Sequence, residues 1–293
     1  MSKTPGFRAH DFGSFSTVEE LASTVASHLS PSVIQFAFPK VLKNAPSPDS
    51  FTEDFALQTS RTLKEHGVSI AVIGCYINPV HPDPEQRELH LSRFERHMRF
   101  SRAFGCPVVG TETGSARPDC GYDLRTAEPL YFDTLLRSVE RLLTTAERYD
   151  AIVALEPVAK VHTICSVERM VHVLEKFPSE HLKVIYDPVN LTPWSGIPER
   201  DGSVRAVPTR EAQETFFRSA FNAFAHRIVA IHAKDYILDE NGVKAGDKSL
   251  GTGVMDWELF FSLMDEYHVT APVLLENQNP MTVDQTIARL CTL

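Results

Sequence analysis

Four stretches of the chain each end an apolar run on a side chain able to ligate a metal: "IVALE" on Glu156, "VIYD" on Asp187, "IVAIH" on His232 and "VLLE" on Glu276. A lone acid at such a place serves as often to cap a helix or form a salt bridge, and a lone histidine is most often a satisfied core residue. Four together are a different matter. Three carboxylates converging without a cation would repel one another and be driven to protonate, and a divalent ion removes that cost. Three oxygen donors and one imidazole suit Mn²⁺, Co²⁺, Mg²⁺ or Zn²⁺, and the absence of sulfur argues against a purely structural zinc site. One divalent ion held by Glu156, Asp187, His232 and Glu276 is the expectation.

Elements of a particular kind must bring these residues together. Strand-length apolar runs occur at 67–78, 106–114, 151–158, 182–190, 228–236 and 271–278, with two weaker ones at 7–13 and 32–38. Helical stretches fall between them, at about 17–29, 49–66, 85–104, 127–149, 166–177, 210–226, 256–268 and 282–291. Thr17 with Glu20 and Ser50 with Glu53 have capping-box spacing, and Gly67 and Gly105 stand where a glycine ends a helix. In 85–104, Leu89, Phe94, Met98 and the Phe100–Phe104 pair fall near one stripe, expected to pack in the core. Eight alternating units predict parallel strands and an α/β fold, a (β/α)8 TIM barrel forming a single domain over residues 1–293. In such a barrel the inward-pointing residues at the C-terminal strand ends line the mouth where sites are built. Glu156, Asp187, His232 and Glu276 end strands five to eight.

Composition narrows the possible partners. The chain has 293 residues, 43% hydrophobic and 23% charged, with a formal net charge of −9, so general affinity for nucleic acid is not expected. It has no apolar run long enough for a membrane span and no secretory signal pattern at its start, which predicts a cytoplasmic protein. Cys75, Cys106, Cys120, Cys165 and Cys291 show neither CxxC spacing nor scaffold density and read as free thiols.

The motifs "LEPV", "YDPVN", "HAKD" and "LLENQ", with "GTGVMDW" at 251–257, resemble the xylose isomerase-like barrel superfamily, in its sugar phosphate isomerase/epimerase branch. The resemblance covers most of the chain. It implies one divalent cation on Glu156, Asp187, His232 and Glu276, and it makes Glu156 and Glu276 the acid/base pair that moves a proton beside a sugar carbonyl. The implied partner is a small sugar-like molecule, and barrels of this type often form a homodimer or higher homo-oligomer. Two departures stand out. Asn190 replaces the histidine of an Asp-x-x-His pattern, and His162 stands where some ketose epimerases have an acid. The extra histidines of the superfamily's three-metal endonucleases are missing, which sets DNA repair aside.

His162, Asn190, Lys234 and Glu112 are the candidate substrate contacts. Lys234, two residues after His232, either stabilises an oxyanion or phosphate or pairs with Asp235, while Asp235 is placed to orient His232 or Lys234. His10 and Asp11 fall at another presumed strand end. The connection 192–209, with Trp194, Arg200 and Arg205, reads as a lid or a solvated loop, and "GTG" at 251–253 as a plain turn. Isomerase and epimerase share this constellation. A lyase dehydrating a keto-polyol or hydroxy acid on the same scaffold is the alternative, with His162 or Lys234 supplying the acid, and a non-catalytic sugar-binding barrel stands behind it.

Overall fold

The computed structural model describes residues 5–292, with the side chain of Cys291 outside the description. The chain runs β1 (Pro5–Arg8), α1 (Val18–His28), β2 (Ser32–Phe36), a one-turn α2 (Phe38–Val41), α3 (Glu53–Glu65), β3 (Val68–Gly74), α4 (Pro84–Phe100), β4 (Val108–Glu112) and α5 (Pro129–Tyr149). It continues with β5 (Ile152–Glu156), α6 (Val167–Lys176), β6 (Leu182–Tyr186), a one-turn α7 (Pro188–Leu191), α8 (Arg210–Phe224) and β7 (Ile228–Ala233). Then come β8 (Asp235–Leu238), β9 (Lys244–Lys248), α9 (Trp257–Glu266), β10 (Val273–Leu275) and α10 (Val283–Thr292). Strands β1 to β7 and β10 form a closed parallel barrel, shut by the β1–β10 pairing, with helices between consecutive strands: a (β/α)8 TIM barrel. Strands β8 and β9 form a separate antiparallel hairpin on the connection that follows β7.

Local chemistry explains the boundaries. Helix α5 starts at Pro129, where a missing N–H is harmless, and buries Leu135, Val139, Leu142 and Ala146 on one stripe. Gly67 and Gly105, at φ 71° and 75°, take the left-handed conformation just after α3 and the α4 turn, as their positions predict. Thr17 caps α1 by accepting the Glu20 N–H at 3.1 Å, but the Glu20 carboxylate reaches back to the Ser16 N–H instead of closing the box on Thr17. Thr52, not Ser50, caps α3. Leu89 is 54% exposed and leaves the expected stripe of α4, whose buried apolar positions are Leu91, Phe94 and Met98.

Each of the eight barrel strands is shorter than the apolar run that predicted it, and two of the endings bear on the site. Pro188 ends β6 and begins α7, so Asn190 lies on a helical turn instead of in a strand. The run at 228–236 leaves the barrel after Ala233, and its remainder enters the hairpin.

Candidate metal centre

The C-terminal ends of β5, β6, β7 and β10 bring the four residues together. Glu156 is the last residue of β5, Asp187 follows β6, His232 lies in β7 and Glu276 follows β10. All four are buried, none more than 4% exposed. One ligand atom from each of Glu156, Asp187 and His232 lies within 4.8 Å of the others. His232 Nδ1 is 3.2 Å from Glu156 Oε1 and 3.3 Å from Glu276 Oε1, which places Glu276 at the edge of the same cluster.

The surroundings fix each group's orientation. The other imidazole nitrogen of His232 lies 2.5 Å from Gln35 Oε1, and Gln35 Nε2 donates to Tyr76 Oη at 2.6 Å, so Nδ1 is the nitrogen aimed into the cluster. Buried His232 Nδ1 and Asp187 Oδ2 have no well-formed hydrogen bond, although Lys234 Nζ is an ion-pair partner of Asp187 Oδ2 at 2.7 Å. Asn190 donates from Nδ2 to Glu156 Oε1 at 2.6 Å, and its backbone N–H donates to Asp187 Oδ1 at 2.9 Å. Glu276 turns Oε2 the other way, to Lys234 Nζ at 2.9 Å and Arg8 Nη1 at 3.2 Å.

Protonation follows from these contacts. Burial is the largest influence on Glu156 and raises its pKa, against the attraction of His232. Burial pushes Glu276 the same way, but the charges of Lys234, His232 and Arg8 outweigh it and hold that carboxyl below the ordinary range. Burial resists charging of His232, yet Glu156 and Glu276 drive its pKa up to about 9. The acids thus hold a proton on the imidazole where a cation would serve them better, and a metal ion would displace it. Buried, sulfur-free oxygen and imidazole donors, with two atoms lacking a hydrogen bond, fit a divalent ion.

The other expected residues divide. Asn190 and Lys234 touch the cluster. Lys234 pairs with Asp187 and Glu276 and makes no salt bridge with Asp235. Asp235 does not orient His232 or Lys234 either: its carboxylate accepts the N–H groups of Tyr236, Gly251 and Met255 at 2.9, 3.0 and 3.0 Å. A Cβ on Gly253 would overlap that carboxylate, so the "GTG" turn is shaped to Asp235. Glu112 pairs in register with Glu156 across β4 and β5 and sits at the half-exposed rim. His162 is buried beneath the rim, 3.8 Å from Glu112 Oε2, with Nε2 3.3 Å from the Cys120 carbonyl oxygen. Asp11 binds the Arg8 guanidinium at 2.7 Å, while His10 Nδ1 is buried without a hydrogen-bond partner. On the connection 192–209, the Trp194 and Tyr122 ring centroids are 5.2 Å apart and Lys160 Nζ lies 4.2 Å from the Trp194 centroid.

Arg8, Gln35, Tyr76 and Lys244 also shape the mouth and carried no expectation. Lys244, from the hairpin, donates to the Val189 and Thr192 carbonyls at 2.7 and 2.6 Å and so anchors the loop beside Asp187. Gln35 interrupts the apolar run "SVIQF", the same kind of signal that drew attention to the charged ligands. The described cysteine side chains, Cys75, Cys106, Cys120 and Cys165, are free thiols, and the side chain of Cys291 lies outside the described residues.

No curated protein matches the chain. Solved structures similar to it include a 3-keto-D-glucoside 4-epimerase from E. coli, with 13% identity, 100% of both chains covered and a TM-score of 0.71. A D-psicose 3-epimerase from Clostridium cellulolyticum H10, solved with D-tagatose, has 13% identity, covers 93% of this chain and 84% of its own, and gives a TM-score of 0.67. A xylose isomerase-like TIM barrel protein from Mycobacterium smegmatis in complex with magnesium has 15% identity, 98% and 92% coverage and a TM-score of 0.68. At these identities the likeness is one of fold. The profile of the xylose isomerase-like TIM barrel family matches residues 33–292, and with the closed parallel barrel this shows that the chain belongs to that family.

Proposed function

We propose that this chain, acting as one barrel domain over residues 1–293, is a divalent-metal-dependent isomerase or epimerase of a small sugar, sugar phosphate or sugar acid. The observation that carries the reading is the buried Glu156, Asp187 and His232 cluster, with Glu276 against the same imidazole. The epimerase titles of two similar structures and the magnesium in a third support it. Free cysteines fit a reducing, cytoplasmic setting.

Glu156, Asp187, His232 and Glu276 would hold the ion, which lends its charge to the substrate oxygen where negative charge builds as the adjacent proton leaves. Glu276, kept ionised by Lys234 and Arg8, is the ready base. Glu156, raised by burial, is the group suited to carry the proton, and Asn190 fixes its orientation. Gln35 holds the His232 ring in one tautomer. A carboxylate on each side of the substrate inverts a carbon if the proton returns from the far side, and moves the carbonyl if it returns to the neighbouring carbon.

The test is incubation of metal-loaded protein in D₂O with a panel of ketoses, keto-acids and their phosphates. Deuterium at the carbon beside the carbonyl is expected, and its loss in Glu156→Gln and Glu276→Gln at retained fold, with metal content measured alongside. Absence of exchange with every member despite a bound ion would sink the reading. Loss of water from a substrate would point to a lyase, and binding without exchange to a sugar-binding barrel.

A further inference from the structure

The half of the mouth opposite the metal-competent strands carries a cation with no carboxylate in salt-bridge contact, although Glu112 and Glu276 attract it from farther away. Lys40, in α2, lays its ammonium 3.7 Å from the centroid of the Tyr76 ring and forms no ion pair with a described carboxylate. Three other cations at the mouth are engaged: Arg8 by Asp11 and Glu276, Lys234 by Asp187 and Glu276, and Lys244 by two carbonyls. Tyr76 ties Lys40 to the metal centre, because its hydroxyl accepts from Gln35, whose amide oxygen meets His232. The His10 ring packs edge-on to Tyr76 with centroids 6.2 Å apart, and its Nδ1 is the buried nitrogen without a hydrogen-bond partner. Burial, reinforced by Arg8 and Lys40, lowers the His10 pKa to about 4, so the imidazole is neutral and able to donate. A substrate closing over Lys40 would strip its water. A neutral hydroxyl gives the ammonium no charged contact in exchange for that water, whereas an anion does.

Resting on the isomerase or epimerase reading, we propose that the substrate is anionic, its carboxylate or phosphate lying at the end remote from the metal and received by Lys40 with a hydrogen bond from His10. Glu112, at the end of β4 on the same half of the mouth, attracts Lys40 from beyond salt-bridge distance and accepts from sugar hydroxyls.

Three six-carbon 2-ketoses that differ only at carbon six test this on the metal-loaded full chain: D-fructose, D-fructuronate and D-fructose 6-phosphate. Titration calorimetry is expected to show at least one of the two anions binding about tenfold or more tighter than fructose, the scale of one charge-assisted contact. Comparing the two anions decides between carboxylate and phosphate. Lys40→Met should bring the anions to within about twofold of fructose, and Lys40→Arg should keep the preference. Equal binding of all three, no binding by either anion, or a preference that survives Lys40→Met overturns the proposal. Deuterium exchange run alongside separates the two ideas. Exchange as good with fructose as with the anions removes the anionic substrate and keeps the enzyme reading, whereas anion-selective binding without exchange does the reverse.

Discussion

Glu156 and Glu276 flank the same imidazole, yet they meet opposite surroundings. Glu156 leans on the neutral amide of Asn190 and shares His232, and burial raises its pKa. Glu276 shares His232 but turns its second oxygen to two permanent cations, Lys234 and Arg8, which keep it ionised. Equal burial therefore does not mean equal chemistry: the partner decides whether a carboxylate gives up its proton or keeps it. A pair matched in type and split in environment is what proton transfer in two directions requires.

The largest test of this contrast is to neutralise each acid. Glu156→Gln and Glu276→Gln are both expected to slow substrate exchange about 10² to 10⁴-fold, measured as deuterium incorporation. They should part company in the metal-free protein. Glu276→Gln removes a charge from buried Lys234 and half-buried Arg8 and should cost about 3 kcal/mol in urea unfolding, whereas Glu156→Gln should stay within about 1 kcal/mol. Equal losses would break the comparison.

Lys234→Met attacks the same asymmetry from the other side. It leaves Asp187 and Glu276 without their shared ammonium and should cost about 3 kcal/mol in the metal-free protein. A saturating divalent ion should then raise the unfolding midpoint of the variant more than that of the parent, because the ion supplies the missing charge. Asp235→Ala is the control on the neighbouring residue. It strips an acceptor from three backbone N–H groups and should cost about 2 kcal/mol, with metal affinity within about threefold of the parent by chelator competition. The smallest effect expected is that of Asn190→Ala. Freeing Glu156 from its amide should lower kcat/KM by about tenfold, one lost hydrogen bond to a charged group, and leave stability within about 1 kcal/mol.

Much of this was legible because charge interrupts apolar strands. Glu156, Asp187, His232 and Glu276 each end a run of buried residues, and the barrel follows from the alternation of such runs with helical ones. Arg8 was missed because "FRAHDFG" is a weak run crowded with polar residues, in which His10 and Asp11 at the presumed strand end drew the attention. Gln35 and Tyr76 were missed because an uncharged side chain in an apolar run gives no electrostatic reason to look for a partner. The hairpin was missed because 228–236 read as one strand, although the consecutive charges Lys234 and Asp235 break the alternation where the chain leaves the barrel. Its turn was nonetheless written in Asn241-Gly242 between Leu238 and Val243, a dipeptide suited to a tight hairpin. Ser50 and Thr52 compete for one cap, and spacing alone favoured the hydroxyl that the backbone did not use.

Asp235 sits at the base of that hairpin and Lys244 at its far end, next to the turn and paired with Leu238. One clamps the turn that leads to α9 and the other clamps the loop after Asp187. Everything between Asp239 and Val243 is free of those duties and exposed or half-exposed. The turn is thus a place where sequence can drift, or be grafted by design, as long as Lys244 beside it keeps its two carbonyl contacts. A fluorophore attached at Asn241 would ride on a support joined to the catalytic loop, and so could report what enters the mouth without standing in it.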